Sequence, residues 1–343
     1  MDPTTADQPA DPPVADPASA GRRSRLKLAI RIVGALVAVV AIGLCVKTVA
    51  DQWSDISHAI RHASPGMLVL ALVLSGLSMT GLGVLWWRTL AVFGEHRPAG
   101  RVIAWYFAGE LGKYLPGGVW QVVGRGELAV RGGARRQVAY STTLLAMGLM
   151  CIGAAVVCAV FTPFLAADGG SLGWVLLLLA LIPVGAAAVH PRILGPALGV
   201  VARLRKGSTP LQPPNWGRML ELVLWSCPTW LLVGFASVAA TDALGYHQHP
   251  ARVAFAAVAA WIVGFLCVPV PAGAGIRELV FVAVCGLDAA PATAVAAIAR
   301  IALVITDGVG GVIGLWVVRR TRTARLGSAT TDATPRPSAR HAR

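Results

Sequence analysis

Six stretches of this chain, 28–50, 66–87, 138–165, 172–190, 218–243 and 291–318, are apolar over about 20 residues or more, the length a helix needs to cross a bilayer core. No other feature constrains the fold so tightly. In hydrocarbon every backbone N–H and C=O must find a partner inside the protein, so spanning segments are helices or strands of a closed barrel, and continuous apolar runs of this length select helices. The rest of the chain agrees, with 56% hydrophobic and 13% charged residues, well outside the soluble globular range. The expected fold class is all-α, a polytopic helical membrane protein.

Two further apolar regions, 102–124 and 251–287, are interrupted at their centres. The first holds YLPGGVWQVVGRGEL, with Pro116, Gly117 and Gly118; the second holds PVPAGAGIREL, with Pro269, Pro271, Gly273 and Gly275. Loop charges set their direction. The arginine-rich segments 88–101 and 125–137 flank the first region, so both of its ends are expected on the cytoplasmic side. The acidic segment 51–65 and the loop DALGYHQHP are expected outside, and RRTRTARL inside, so 251–287 must begin and end outside. The prediction is six full spans and two re-entrant hairpins entering from opposite faces, with both termini cytoplasmic. The hairpin sequences also resemble each other, each setting Pro and small residues before a short arm with charged residues. An inverted repeat of the kind transporters use for a midplane site fits that pattern, and so does a short coincidence.

Flanking this transmembrane domain, assigned to 25–320, residues 1–24 are rich in Pro, Asp and Ala, and 321–343 are basic; both are expected to be disordered cytoplasmic tails. The stretch before the first apolar run lacks the pattern of a cleaved secretory signal, so 28–50 is read as a retained span. The formal charge of +14 lies between apolar runs and in the tail, where the positive-inside bias and anionic headgroups account for it, so no nucleic acid partner is expected. Six cysteines without a CxxC pair, and seven histidines without ligand spacing, imply neither a disulfide framework nor a metal site. No nucleophile elbow, zincin helix, acidic pair for glycosyl transfer or P-loop occurs. The chain is expected to be no enzyme and to need no cofactor.

The breaks and the charges beside them are the candidate site. Unwound backbone at membrane depth must be buried in protein or face a hydrated cavity, and helix N-termini exposed there favour anions. Pro116, Gly117, Gly118, Pro269, Pro271, Gly273 and Gly275 are therefore read as shaping a cavity. Glu110, Lys113, Gln121 and Arg125 flank the first break, Arg277 and Glu278 the second, and Arg300 and Asp307 share one face of the last span. Charge in a bilayer centre costs about 2.5–3.5 kcal/mol per residue on insertion scales and so normally lines an interior path. Several arginines suit a phosphate. Against this, Arg277 with Glu278 and Arg300 with Asp307 can be structural ion pairs, and Lys113 and Arg125 can be rim residues reaching the interface. Trp86, Trp87, Trp105 and Trp120 read as anchors or packing, and Gly310 and Gly314 as close-packing positions.

YFAGELGKYLPGGVWQVVGRGELAVRGG, then PVPAGAGIREL, then AIARIALVITDG, resemble the transmembrane region of the lysylphosphatidylglycerol synthase family, also called flippase-like or UPF0104 membrane proteins, over about residues 28–320. The resemblance implies a lipid-translocating membrane domain in the cell membrane. It also implies that the aminoacyl-transfer activity carried by a further soluble domain in the best-studied relatives is absent here. Two departures, Pro-Ala-Gly-Ala-Gly at 271–275 and the lack of an acidic residue at 144–147, bear on the substrate rather than on the architecture. The expected function is a lipid flippase-like transporter, with membrane lipids of anionic or zwitterionic headgroup as partners. A non-catalytic membrane partner of a cell-envelope glycosyltransferase and a polyprenyl-phosphate-dependent transferase are the alternatives.

Overall fold

The computed structural model describes residues 61, 63–114, 119–166, 180–203, 211–266, 273 and 275–332. It is 86% helical with no strands among these residues. The helices are α1 (Pro65–Val92), α2 (Ala99–Glu110), α3 (Trp120–Arg131), α4 (Arg136–Ala166), α5 (Leu181–Ala188), α6 (Pro191–Arg203), α7 (Trp216–Ala243), α8 (Pro250–Leu266), α9 (Ile276–Val284) and α10 (Ala289–Asp332). Four described helices, α1, α4, α7 and the Ala289–Thr321 part of α10, are long and apolar enough to cross a membrane. They correspond to the expected spans 66–87, 138–165, 218–243 and 291–318, and the protein is an all-α polytopic membrane protein. The expected span 28–50 lies outside the described residues, as does most of 172–190, of which α5 is the described part.

The spans are tied side by side at their ends. Ser64 donates its main-chain N–H to the Ala243 carbonyl at 2.8 Å, and Arg88 pairs with Glu221 at 3.7 Å, so α1 and α7 run antiparallel. Arg135, at the start of α4, bonds Glu95 between α1 and α2 at 3.0 Å, while Phe164 at its far end stacks on His249, just before α8, at 6.4 Å. One face of the bundle therefore carries the 92–99, 131–136 and 216–221 segments, and the other carries 243–250 and 284–289. Trp86 and Trp105 are buried in the core, and Trp87 donates its indole N–H to the Arg97 carbonyl at 2.8 Å, so these three pack rather than anchor.

Both interrupted regions fold back. In the first, α2 continues as a 3-10 turn through Leu111–Tyr114, residues 115–118 lie outside the described set, and α3 returns. The returning arm lies against the entering one: a Cβ on Gly124 would sit 3.3 Å from the Gly109 Cα, and one on Gly112 would sit 2.7 Å from the Gln121 N. In the second, α9 returns along α8, with Gln248 bonding the Gly286 carbonyl at 2.6 Å and Arg252 the Val284 carbonyl at 3.3 Å near the open end. Only a backbone bare of side chains tolerates such an approach, which is why glycines sit where the arms touch.

Two segments differ from the sequence expectation. The stretch after 190, left unassigned between the expected spans 172–190 and 218–243, contains α6, whose Leu194 and Leu198 are buried one turn apart. And α10 runs on to Asp332, past the residue-320 boundary drawn for the membrane domain, because a helix already nucleated over a full span propagates cheaply into Ala- and Arg-containing sequence.

Candidate functional site

Helix α10 is the common wall on which both hairpins end. Its glycines let α2 approach closely: a Cβ on Gly314 would lie 2.5 Å from the Ala104 carbonyl oxygen, and one on Gly311 would lie 2.8 Å from the Leu111 side chain. At the hairpin tip the Tyr114 hydroxyl donates to Asp307 Oδ2 at 2.6 Å. As the first hairpin advances from Ala104 to Tyr114, its partners on α10 recede from Gly314 to Asp307, so it enters from the C-terminal end of the span. The second hairpin has its open end beside the start of α10, and near its tip Glu278 accepts from Arg300. The tips thus approach from opposite ends and meet between Arg300 and Asp307, about 10 Å apart along the helix axis.

Where they meet there is a cavity of about 80 Å³. Its polar wall is Lys113 and Tyr114 from the first hairpin, Arg277 and Glu278 from the second, Arg300 and Asp307 from α10, and Ser237 from α7; Val233, Trp261, Phe281 and Leu303 belong to its apolar wall. Gly275 caps the N-terminus of α9 with φ 82°, and Gly273 has φ 67°, a left-handed geometry that brings the chain sharply round just before Arg277. The positive end of the α9 dipole therefore faces the cavity. Pro116, Gly117, Gly118, Pro269 and Pro271 lie outside the described residues.

The ion pairs are crossed relative to the sequence expectation. Arg300 does not pair with Asp307 one turn pair away, nor Arg277 with its neighbour Glu278. Instead Arg300 pairs with Glu278 of the second hairpin, and Asp307 takes Lys113 Nζ of the first at 2.6 Å. Asp307 is fully buried, and Lys113 also reaches Glu110 at 3.0 Å, so neither Lys113 nor Arg125 is a rim residue. Glu110 and Arg125 form a buried pair behind the cavity wall, Arg125 lying over the Tyr106 ring at 4.0 Å. Gln121 is buried on the same arm. None of Glu110, Gln121 and Arg125 lines the cavity, a difference from the expected ligand set that follows from the turn of α3 towards α2.

The charge count of the wall is decisive for what it can hold. Among the described residues, three cations, Lys113, Arg277 and Arg300, face two carboxylates, Glu278 and Asp307. Each carboxylate has taken one cation, which leaves Arg277 with no carboxylate partner among the described residues. It lies over the Trp261 ring at 4.9 Å, and its Nε has no hydrogen-bond partner among the described residues. Such a cation at membrane depth favours an anion beside it. Trp261 and Tyr114 complete the site without having been singled out from sequence; the signal available was an aromatic three residues before Gly264 and another two before Pro116.

Other motifs have structural uses. Cys151, Cys158, Cys227 and Cys285 are free thiols, and among the described residues no group of His, Cys, Asp and Glu is arranged to hold a metal ion. The family model described as the lysylphosphatidylglycerol synthase TM region matches residues 31–311. No curated protein matches the chain.

Proposed function

Since this chain belongs to the lysylphosphatidylglycerol synthase TM region family, a family of membrane, lipid-related proteins, we propose that it is a flippase-type carrier that moves a phosphate-bearing lipid between leaflets. One observation carries the reading: a cavity between two opposed hairpins is lined by one more cation than carboxylate. Its three cations suit the phosphate of a headgroup while the acyl chains stay in the bilayer. Arg277 binds the phosphate. Glu278 and Asp307 hold Arg300 and Lys113 in place, or receive a cationic group on the headgroup.

Opposed hairpins suit alternating access, because withdrawing either tip opens the cavity towards one leaflet only. The reading involves no covalent step, so the chain acts as a carrier and not as an enzyme. It also sets the protein in the cell membrane with the face bearing Arg97, Arg101, Arg131, Arg135 and Arg136 towards the cytoplasm, supported by the positive-inside bias.

The test is flipping of fluorescent phosphatidylglycerol, its lysyl derivative and a polyprenyl-phosphate lipid in vesicles holding the purified protein, read by quenching of outer-leaflet fluorophore. At least one lipid is expected to flip faster than in empty vesicles, and Arg277→Gln is expected to slow it by about tenfold, the worth of one charge-assisted hydrogen bond. Rates equal to empty vesicles for all three lipids would refute the proposal.

A further inference from the structure

The two hairpins contain the same side-chain arrangement twice. In the first, a Cβ on Gly109 would sit 2.5 Å from Arg125 Cγ and 2.9 Å from its N, so the arginine stem lies in the notch of that glycine, and its guanidinium covers Tyr106, three residues before the glycine. In the second, the Arg277 stem lies in the notch of Gly264, where a Cβ would sit 2.9 Å from Arg277 Nε, and its guanidinium covers Trp261, again three residues before the glycine. Both Nε atoms lack a hydrogen-bond partner among the described residues. Aromatic, two intervening residues, glycine, and an arginine on the returning arm form one cradle, built once from each face of the membrane.

The copies differ in the residue after the glycine. In the first it is Glu110, which pairs with Arg125 and neutralises it. In the second it is Phe265, which stacks on Trp261 with ring centroids 5.2 Å apart and offers no charge. An aromatic face attracts a guanidinium without cancelling its charge, whereas a carboxylate cancels it. We infer that the molecule carries two equivalent arginine cradles, one closed by its own carboxylate and one left open, and that the identity of the residue after the glycine, Glu110 or Phe265, decides which cradle accepts a substrate phosphate. Arg125 is then a positioning residue of the first hairpin, Arg277 the single anion ligand, and Trp261 the platform that presents it. The inference rests on the anionic-headgroup reading of the cavity and assigns its selectivity to one position.

The experiment transfers the closure from one hairpin to the other. The full chain is purified in detergent, and binding of short-chain dioctanoyl phosphatidylglycerol is measured by titration calorimetry, with inorganic phosphate and neutral dioctanoylglycerol as separate arms. Phe265→Glu places a carboxylate beside Arg277 and is expected to weaken lipid binding at least tenfold, while the neutral Phe265→Gln stays within about twofold of the parent chain. Trp261→Phe, which keeps a ring face, is expected to lose clearly less affinity than Trp261→Leu, which should lose about tenfold; this pair decides the matter if Phe265→Glu does not fold. Equal affinity of Phe265→Glu and Phe265→Gln, or of Trp261→Leu and Trp261→Phe, overturns the inference while leaving the carrier proposal standing. A parent chain that binds neither phosphate probe overturns the headgroup reading itself. Binding of inorganic phosphate without the lipid, with the same order of variants, upholds the cradle and assigns the anion to a soluble source.

Discussion

Breaking the tie between the first hairpin and α10 should have a measurable and partly reversible effect on stability. Lys113 Nζ lies 2.6 Å from Asp307 Oδ2, with side chains 14% and 1% exposed, and Tyr114 donates to the same oxygen. At that separation and an effective dielectric of about 20, the attraction between the charges is about 6 kcal/mol before desolvation is subtracted. Removing one partner of a buried pair costs about 3–5 kcal/mol, because the other charge stays buried without compensation. Asp307→Asn should fall at the lower end, about 3 kcal/mol, since Lys113 keeps Glu110 at 3.0 Å and the asparagine carbonyl can still accept from Tyr114. Adding Lys113→Met removes the cation that Asp307→Asn leaves under-compensated, so the double variant should lose less than the sum of the two single losses, with a coupling of about 2 kcal/mol. Denaturation of the purified protein in mixed micelles by increasing sodium dodecyl sulfate, followed by far-ultraviolet circular dichroism, measures all four corners of the cycle. Additive losses, with coupling inside about 0.5 kcal/mol, would show that the tip of the first hairpin is not held to α10 by this pair.

Two further outcomes follow from packing and from surface charge. Gly314→Val should cost about 1–3 kcal/mol, because its Cβ would meet the Ala104 carbonyl at 2.5 Å and the Ala108 N at 3.0 Å and force two backbones apart; Gly308→Ala on the same helix, with nothing within 4 Å, should be neutral or stabilising by up to about 1 kcal/mol. The same micellar denaturation separates them, and equal losses would refute the close approach of α2 and α10. Glu95, in the loop between α1 and α2, is raised by burial but lowered more by hydrogen bonds from the Arg135 main chain and side chain and from Arg97, so its carboxyl sits below the ordinary 4.5. A depressed folded pKa adds stability that is full above the unfolded value and vanishes as pH falls through the folded one. Unfolding midpoints should therefore drop below about pH 4.5 in the parent chain and drop less steeply in Glu95→Gln; parallel pH profiles for the two would refute it.

The way this protein can be read from its sequence has a clear physical boundary. Apolar length reports on the bilayer directly, so the spans 66–87, 138–165, 218–243 and 291–318 were legible within a few residues. The positions of Pro and Gly told where helix could not continue, and the arginine-rich flanks told that both ends of 102–124 share a face, so the folding back of each hairpin was legible too. Both are local properties: they depend on what a short stretch of chain does against lipid or water. Which charges meet is different. Arg300 and Asp307 share a helical face, and periodicity alone invites pairing them, yet each turns to a different hairpin, Arg300 to Glu278 and Asp307 to Lys113. That choice rests on how deep each hairpin reaches and how its returning arm is rotated, quantities set by glycine contacts such as Gly264 with Arg277 and Gly314 with Ala104. Only the assembled bundle fixes them, because a contact between residues far apart in the chain carries no period to read. The same depth and rotation leave Arg277 over Trp261 with no carboxylate partner among the described residues, while Arg125 lies hidden against Glu110.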